Sequence, residues 1–150
     1  GERLMGLFDA INASSSALSA ERLRMDVVAE NLANAQTTRG ADGEPYKRKT
    51  VVLQQMQEDG NSFAGVLGKK LHSGATGVEV VGIASDSSPG KRVYDPGHPD
   101  ADGEGYITLP NVNPVTEMVD LITAQRAYEA NVTAMQTAKT MFTRTLDILR

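Results

Sequence analysis

The chain has 150 residues, 40% of them hydrophobic, a net charge of −4 and no cysteine. That is long enough for one ordinary domain with a core, and it excludes thiolate catalysis, disulfides and thiolate metal sites. Acidic and basic side chains are mixed in every region, which makes nucleic acid a poor partner; no run approaches the roughly 18 apolar residues of a membrane helix, so no lipid insertion is expected.

The start lacks the basic opening and continuous apolar run of a cleaved secretion signal, and Met5 reads as a natural start behind Gly1–Leu4. Twelve of 14 glycines and five of 6 prolines fall in 36–111, and neither residue occurs in 7–39 or 115–150. Glycine breaks helices through backbone entropy, proline through a lost donor and a clash. The pattern predicts an α+β chain: long N- and C-terminal helices forming a coiled-coil or bundle layer, with a small, mainly β middle. The expected boundaries are 1–36, 37–111 and 112–150.

The first helix is expected from about Gly6 to Ala35. Leu4, Ile11, Leu18, Met25 and Leu32 recur every seven residues, and Leu7, Phe8, Val28 and Ala29 widen the stripe. In the middle, Tyr46–Gln55, Gly77–Ile83, Lys91–Tyr94 and Tyr106–Leu109 read as strands. Ala41-Asp42-Gly43 and Asp95-Pro96-Gly97 read as turns, and 58–76 as a mobile stretch. The last helix has a start signal in Asn113, a favoured N-cap, followed by Pro114 at the first helical position. Leu121, Tyr128, Met135, Phe142 and Leu149 repeat every seven residues, with Met118, Val132 and Leu146 four along.

Seven-residue stripes fit an antiparallel pair within one molecule. The remaining faces carry little charge and many small side chains, among them Ser15, Ala20, Asn31, Thr133, Thr137 and Ala138. A solitary two-helix coil shows Glu and Lys there instead, so these faces favour partner helices from other chains.

Catalytic signals are sparse. His72 and His98 are the only histidines, both in Gly/Pro-rich surroundings, and Ser14, Ser15 and Ser16 lie in a helix with no nucleophile elbow around them. A metal-dependent hydrolase built on the two histidines and nearby acids is the most distant reading. Asp100-Ala101-Asp102-Gly103-Glu104-Gly105 opens like a calcium loop, but its twelfth position is Asn111 where a bidentate Glu is needed; it reads as an acidic turn. Lys47-Arg48-Lys49 reads as a solvated strand edge that discourages aggregation. No cofactor or metal site is expected.

Asn31-Leu32-Ala33-Asn34-Ala35-Gln36-Thr37-Thr38, followed by Pro45-Tyr46-Lys47-Arg48-Lys49, resembles the N-terminal signature of flagellar axial proteins. In physical terms, Asn31 and Asn34 can satisfy free carbonyls or accept a left-handed turn as the helix stops, and Thr37 and Thr38 can bond the loop backbone. Val93-Tyr94-Asp95-Pro96, Pro110-Asn111-Val112 and Arg126-Ala127-Tyr128-Glu129-Ala130-Asn131 narrow the resemblance to the short proximal-rod members. The resemblance implies a non-enzymatic structural subunit of the flagellar basal body, outside the cytoplasmic membrane and periplasmic where an outer membrane exists. It also implies export unfolded through the flagellar type III apparatus, then self-association and contact with other rod proteins and the base of the basal body. The residues it nominates for assembly are Ile11, Leu18, Met25, Leu32, Leu121, Tyr128, Met135, Phe142 and Leu149, with Asn31, Asn34, Thr37 and Thr38 fixing the helix exit. The competing reading is a self-contained helical adaptor or binding domain with a β insert.

Overall fold

The computed structural model describes residues 2–40, 42–56 and 77–148, with side chains from 8 to 147. Its elements run α1 (Glu2–Ala33), β1 (Lys49–Gln55), β2 (Val78–Ser85), β3 (Lys91–Tyr94), β4 (Tyr106–Leu109) and α2 (Pro114–Ile148). Helix, strands, helix is the expected α+β order. The stretch 58–76, His72 and Leu149 lie outside the described residues.

Helix α1 begins at Glu2, four residues before the expected start, because Glu2-Arg3-Leu4-Met5 are all strong helix formers. It ends without a left-handed residue: no non-glycine residue among those described has positive φ. Asn34 closes it instead, its backbone N–H and its side-chain amide both donating to the Glu30 carbonyl, at 3.1 and 2.9 Å. Helix α2 starts as its cap dictates, with Asn113 Oδ1 accepting from the Val115 N–H at 3.0 Å.

β1 pairs with β2 and β3 with β4. β1 begins three residues later than expected, because the N–H groups ahead of it are taken by other partners. Tyr46 donates to the Thr37 carbonyl and Arg48 to Asn111 Oδ1. The β3–β4 hairpin pairs antiparallel with Val93 opposite Ile107 and Tyr94 opposite Tyr106. Its connection needs Gly105, whose φ of 80° favours glycine. Asp102 braces that turn by accepting from the N–H groups of Glu104 and Tyr106.

The chain divides into two compact units: Gly1–Arg22 with Leu53–Val81 and Gln125–Arg150, and Leu23–Val52 with Gly82–Ala124. In the first, Phe8 meets Phe142 edge to face, ring centroids 5.9 Å apart, and Ala20 and Ala138 are buried. Ser16 ties α1 to the start of β2, its hydroxyl accepting from Val78 N–H at 3.0 Å. Gly77 is held so close to that hydroxyl that a Cβ would collide with it. In the second unit the core is Val27, Val28, Ile107, Val112 and Ala124 with two polar side chains, Asn31 and Glu117. There the helices run antiparallel, Arg24 lying near Asp120 and Asn31 near Glu117.

Candidate assembly site at the helix exit

Asn31 is wholly buried at the end of α1. Its amide donates to the Lys49 carbonyl at 2.8 Å and to Glu117 Oε2 at 3.0 Å. Its carbonyl oxygen accepts from Lys49 N–H and from the Tyr46 hydroxyl, both at 2.9 Å. Two donors and two acceptor positions are the whole capacity of an asparagine side chain, and all four are used. The side chain therefore substitutes for a neighbouring strand, bonding both backbone groups of the first β1 residue.

Glu117 is the second buried group, 0% exposed. Besides Asn31 it accepts from Arg48 Nε at 2.6 Å, and Arg48 also reaches Asp120 Oδ2 at 3.3 Å. Such pairing offsets the hydration a carboxylate loses on burial. The Arg48 backbone is fixed at both ends, its N–H donating to Asn111 Oδ1 and its carbonyl accepting from Asp86 N–H at 2.7 Å. Lys49 pairs with Glu30, a hydrogen bond that raises its pKa above 10.5. Burial, and after it the charge of Glu30, pushes the Tyr46 phenol above its ordinary 10.0. The node joins the last turn of α1, the start of β1, the segment before α2 and the first turn of α2.

The exit signature is thus divided in its roles. Asn34 satisfies a helix-end carbonyl, as the residue type predicts, whereas Asn31 reaches none and bonds the strand and Glu117. Thr37 and Thr38 were expected to bond the loop backbone. Their hydroxyls instead donate to Asn34 Oδ1 at 3.1 Å and Asp100 Oδ2 at 2.8 Å, because the Thr37 N–H and carbonyl are already engaged. Arg48, read as solvated edge, is the partner of a buried acid; only Lys47, paired with Glu44, remains exposed in that cluster. The acidic turn is structural: Asp102 also accepts from Arg92 at 2.7 Å, and the backbone N–H of Tyr106 leads the contacts that lower its pKa below 3.8. His98 Nδ1 accepts from Asp100 N–H within the same loop.

The heptad residues Ile11, Leu18, Met25, Leu32, Leu121, Tyr128, Met135 and Phe142 are all half-buried. The side chains buried most deeply on α1 are Ala20, Val27, Val28 and Asn31. In a straight helix of 3.6 residues per turn a seven-residue repeat drifts by about 20° each time, so the stripe follows the flank of the buried face. Small residues assigned to outer faces, Ala20, Asn31 and Ala138, are buried. Conversely Met118 and Leu146, expected in the stripe, are about half exposed.

An exposed apolar group lies back to back with the node. Val115, Met118, Val119 and Ile122 are 70, 51, 58 and 52% exposed. Their spacing of i, i+3, i+4 and i+7 gathers them on one face of α2. Glu117 and Asp120 hold the opposite side of the same two turns.

Two family models match the chain: the flagella basal body rod protein model over residues 11–41 and the flagellar basal body rod FlgEFG protein C-terminal model over 104–148. The flagellar basal-body rod protein FlgC of Bacillus subtilis is 48% identical over 96% of this chain and 99% of its own length. FlgC of Borreliella burgdorferi is 45% identical over 97% and 99%, and FlgC of Salmonella typhimurium 38% over 96% and 98%. The chain belongs to the FlgC family of flagellar basal-body rod proteins.

Proposed function

We propose that this chain is a structural, non-enzymatic subunit of the flagellar basal-body rod, polymerising through its terminal helices into the shaft that transmits motor torque. Family membership supports the rod assignment. The observation carrying the helix-mediated assembly is the exposed stripe Val115, Met118, Val119 and Ile122 on α2. A two-turn apolar face of this kind, held from behind by a satisfied polar node, is suited to an interface with a neighbouring helix. In this reading the half-buried residues Ile11, Leu18, Met25, Leu32, Leu121, Tyr128, Met135 and Phe142, with Leu149, hold a subunit's helices together, and the outward faces meet neighbours. Segments 1–36 and 112–150 act as the assembly layer and 37–111 as the outer domain. The partners are further copies, other rod proteins and the basal-body base, with the export apparatus in transit; the location is the rod outside the cytoplasmic membrane. Unlike patches on one subunit, used head to tail, generate an open helix and not a closed ring.

Deleting the gene and isolating basal bodies tests the assignment. Loss of motility and of assembled rods, both restored by the wild-type chain, is the expected result. Normal rods without the chain would overturn it. A purified chain that stays a compact monomer and never co-assembles with rod proteins would favour the adaptor instead.

A further inference from the structure

The outer face of α2 beyond the apolar stripe carries four charged side chains in a repeating arrangement. Arg126 and Glu129 recur as Arg144 and Asp147, 18 residues on. Eighteen residues are five whole turns, roughly 27 Å, so both pairs project from the same face. All four side chains are exposed. Among the described residues Arg126, Arg144 and Asp147 make no ion pair, and Glu129 only accepts from Gln125 Nε2 at 3.1 Å. Between the two pairs lies a shallow groove of about 330 Å³ lined by Thr133, Gln136, Thr137, Thr140, Met141 and Arg144.

The threonines are prepared for burial. The hydroxyls of Thr133, Thr137 and Thr140 donate at 2.9 Å to the carbonyls of Glu129, Thr133 and Gln136, each four residues back. A hydroxyl already bonded to its own helix leaves no unsatisfied donor when covered. The face therefore costs less to desolvate than its composition implies.

We propose that this face binds a second copy of itself, two α2 helices crossing antiparallel about a twofold axis between Gln136 and Thr137. That register sets Arg126 level with Asp147 of the second copy and Glu129 level with its Arg144, each pairing occurring twice. Thr133 then lies level with Thr140 across the centre. A parallel, in-register pair would set Arg level with Arg and acid level with acid. Charge arrangement thus selects both the occupant and its direction. The contact is isologous, closes at two chains and covers the α2 face from Arg126 to Asp147, leaving the apolar stripe from Val115 to Ile122 open. It stands independently of the rod reading.

Sedimentation equilibrium of the full chain tests it, at about 0.05 and 0.5 M salt, where screening differs strongly. The expected result is a monomer–dimer equilibrium that weakens roughly tenfold or more at high salt. Glu129→Arg or Arg144→Glu alone should weaken it, and the double swap should restore it, because the swapped charges again lie opposite one another. Thr137→Arg at the centre should abolish the dimer while leaving the helical circular dichroism unchanged. A chain that is monomeric under both conditions overturns the proposal. So does association indifferent to salt and charge, which would trace to the apolar stripe, or a double swap that fails to restore, which would indicate parallel helices.

Discussion

Asn31 uses every hydrogen-bonding position it has on three different parts of the chain, so no substitution of similar size replaces it. Asn31→Asp removes both donors and sets a carboxylate against the Lys49 carbonyl and Glu117. It should cost about 3–5 kcal/mol in denaturant unfolding, the range for breaking a buried charged network. Arg48→Ala should fall in the same range, because it leaves Glu117 wholly buried without its cation. Tyr46 gives the node a pH signature. Its folded pKa is raised, so its contribution is fully present below the unfolded value near 10 and is lost as pH rises through the folded value. Unfolding measured from pH 8 to 12 should therefore show a decline in stability that Tyr46→Phe reduces; an unchanged slope in the variant would contradict the assignment.

At the scale of elements, segregation of glycine and proline made both helices legible and β-branched and aromatic runs the four strands, and the β3 and β4 limits agree with the structure to the residue. The Asn113 cap was equally legible, since capping is local. Asn113→Ala should lower stability by about 1 kcal/mol, and Gly105→Ala by roughly 1–2 kcal/mol, because an L side chain must then adopt positive φ beside the Tyr94 ring. Thermal unfolding of the two variants measures both. What the sequence concealed depends on distance along the chain. Arg48 stands among lysines and Glu117 in a helix's first turn, where an acid is explained by the helix dipole alone; nothing local joins residues 69 apart. The buried face was hidden for another reason. Heptad counting finds large side chains, whereas small ones, Ala20, Ala124 and Ala138, are among the most buried residues of the helices.

For the whole molecule, the central claim is that the helix backed by the satisfied Asn31–Glu117 node presents an apolar α2 face for assembly. Val115, Met118, Val119 and Ile122 are exposed, so polar replacement there should leave the monomer's stability within about 0.5 kcal/mol of wild type. The most direct test introduces Val119→Asp with Ile122→Asp into a strain lacking the gene, compares unfolding of the purified chains, and counts rods in isolated basal bodies. The account predicts an unchanged unfolding midpoint together with loss of rods and motility. Normal rods and swimming from that folded double variant would contradict it.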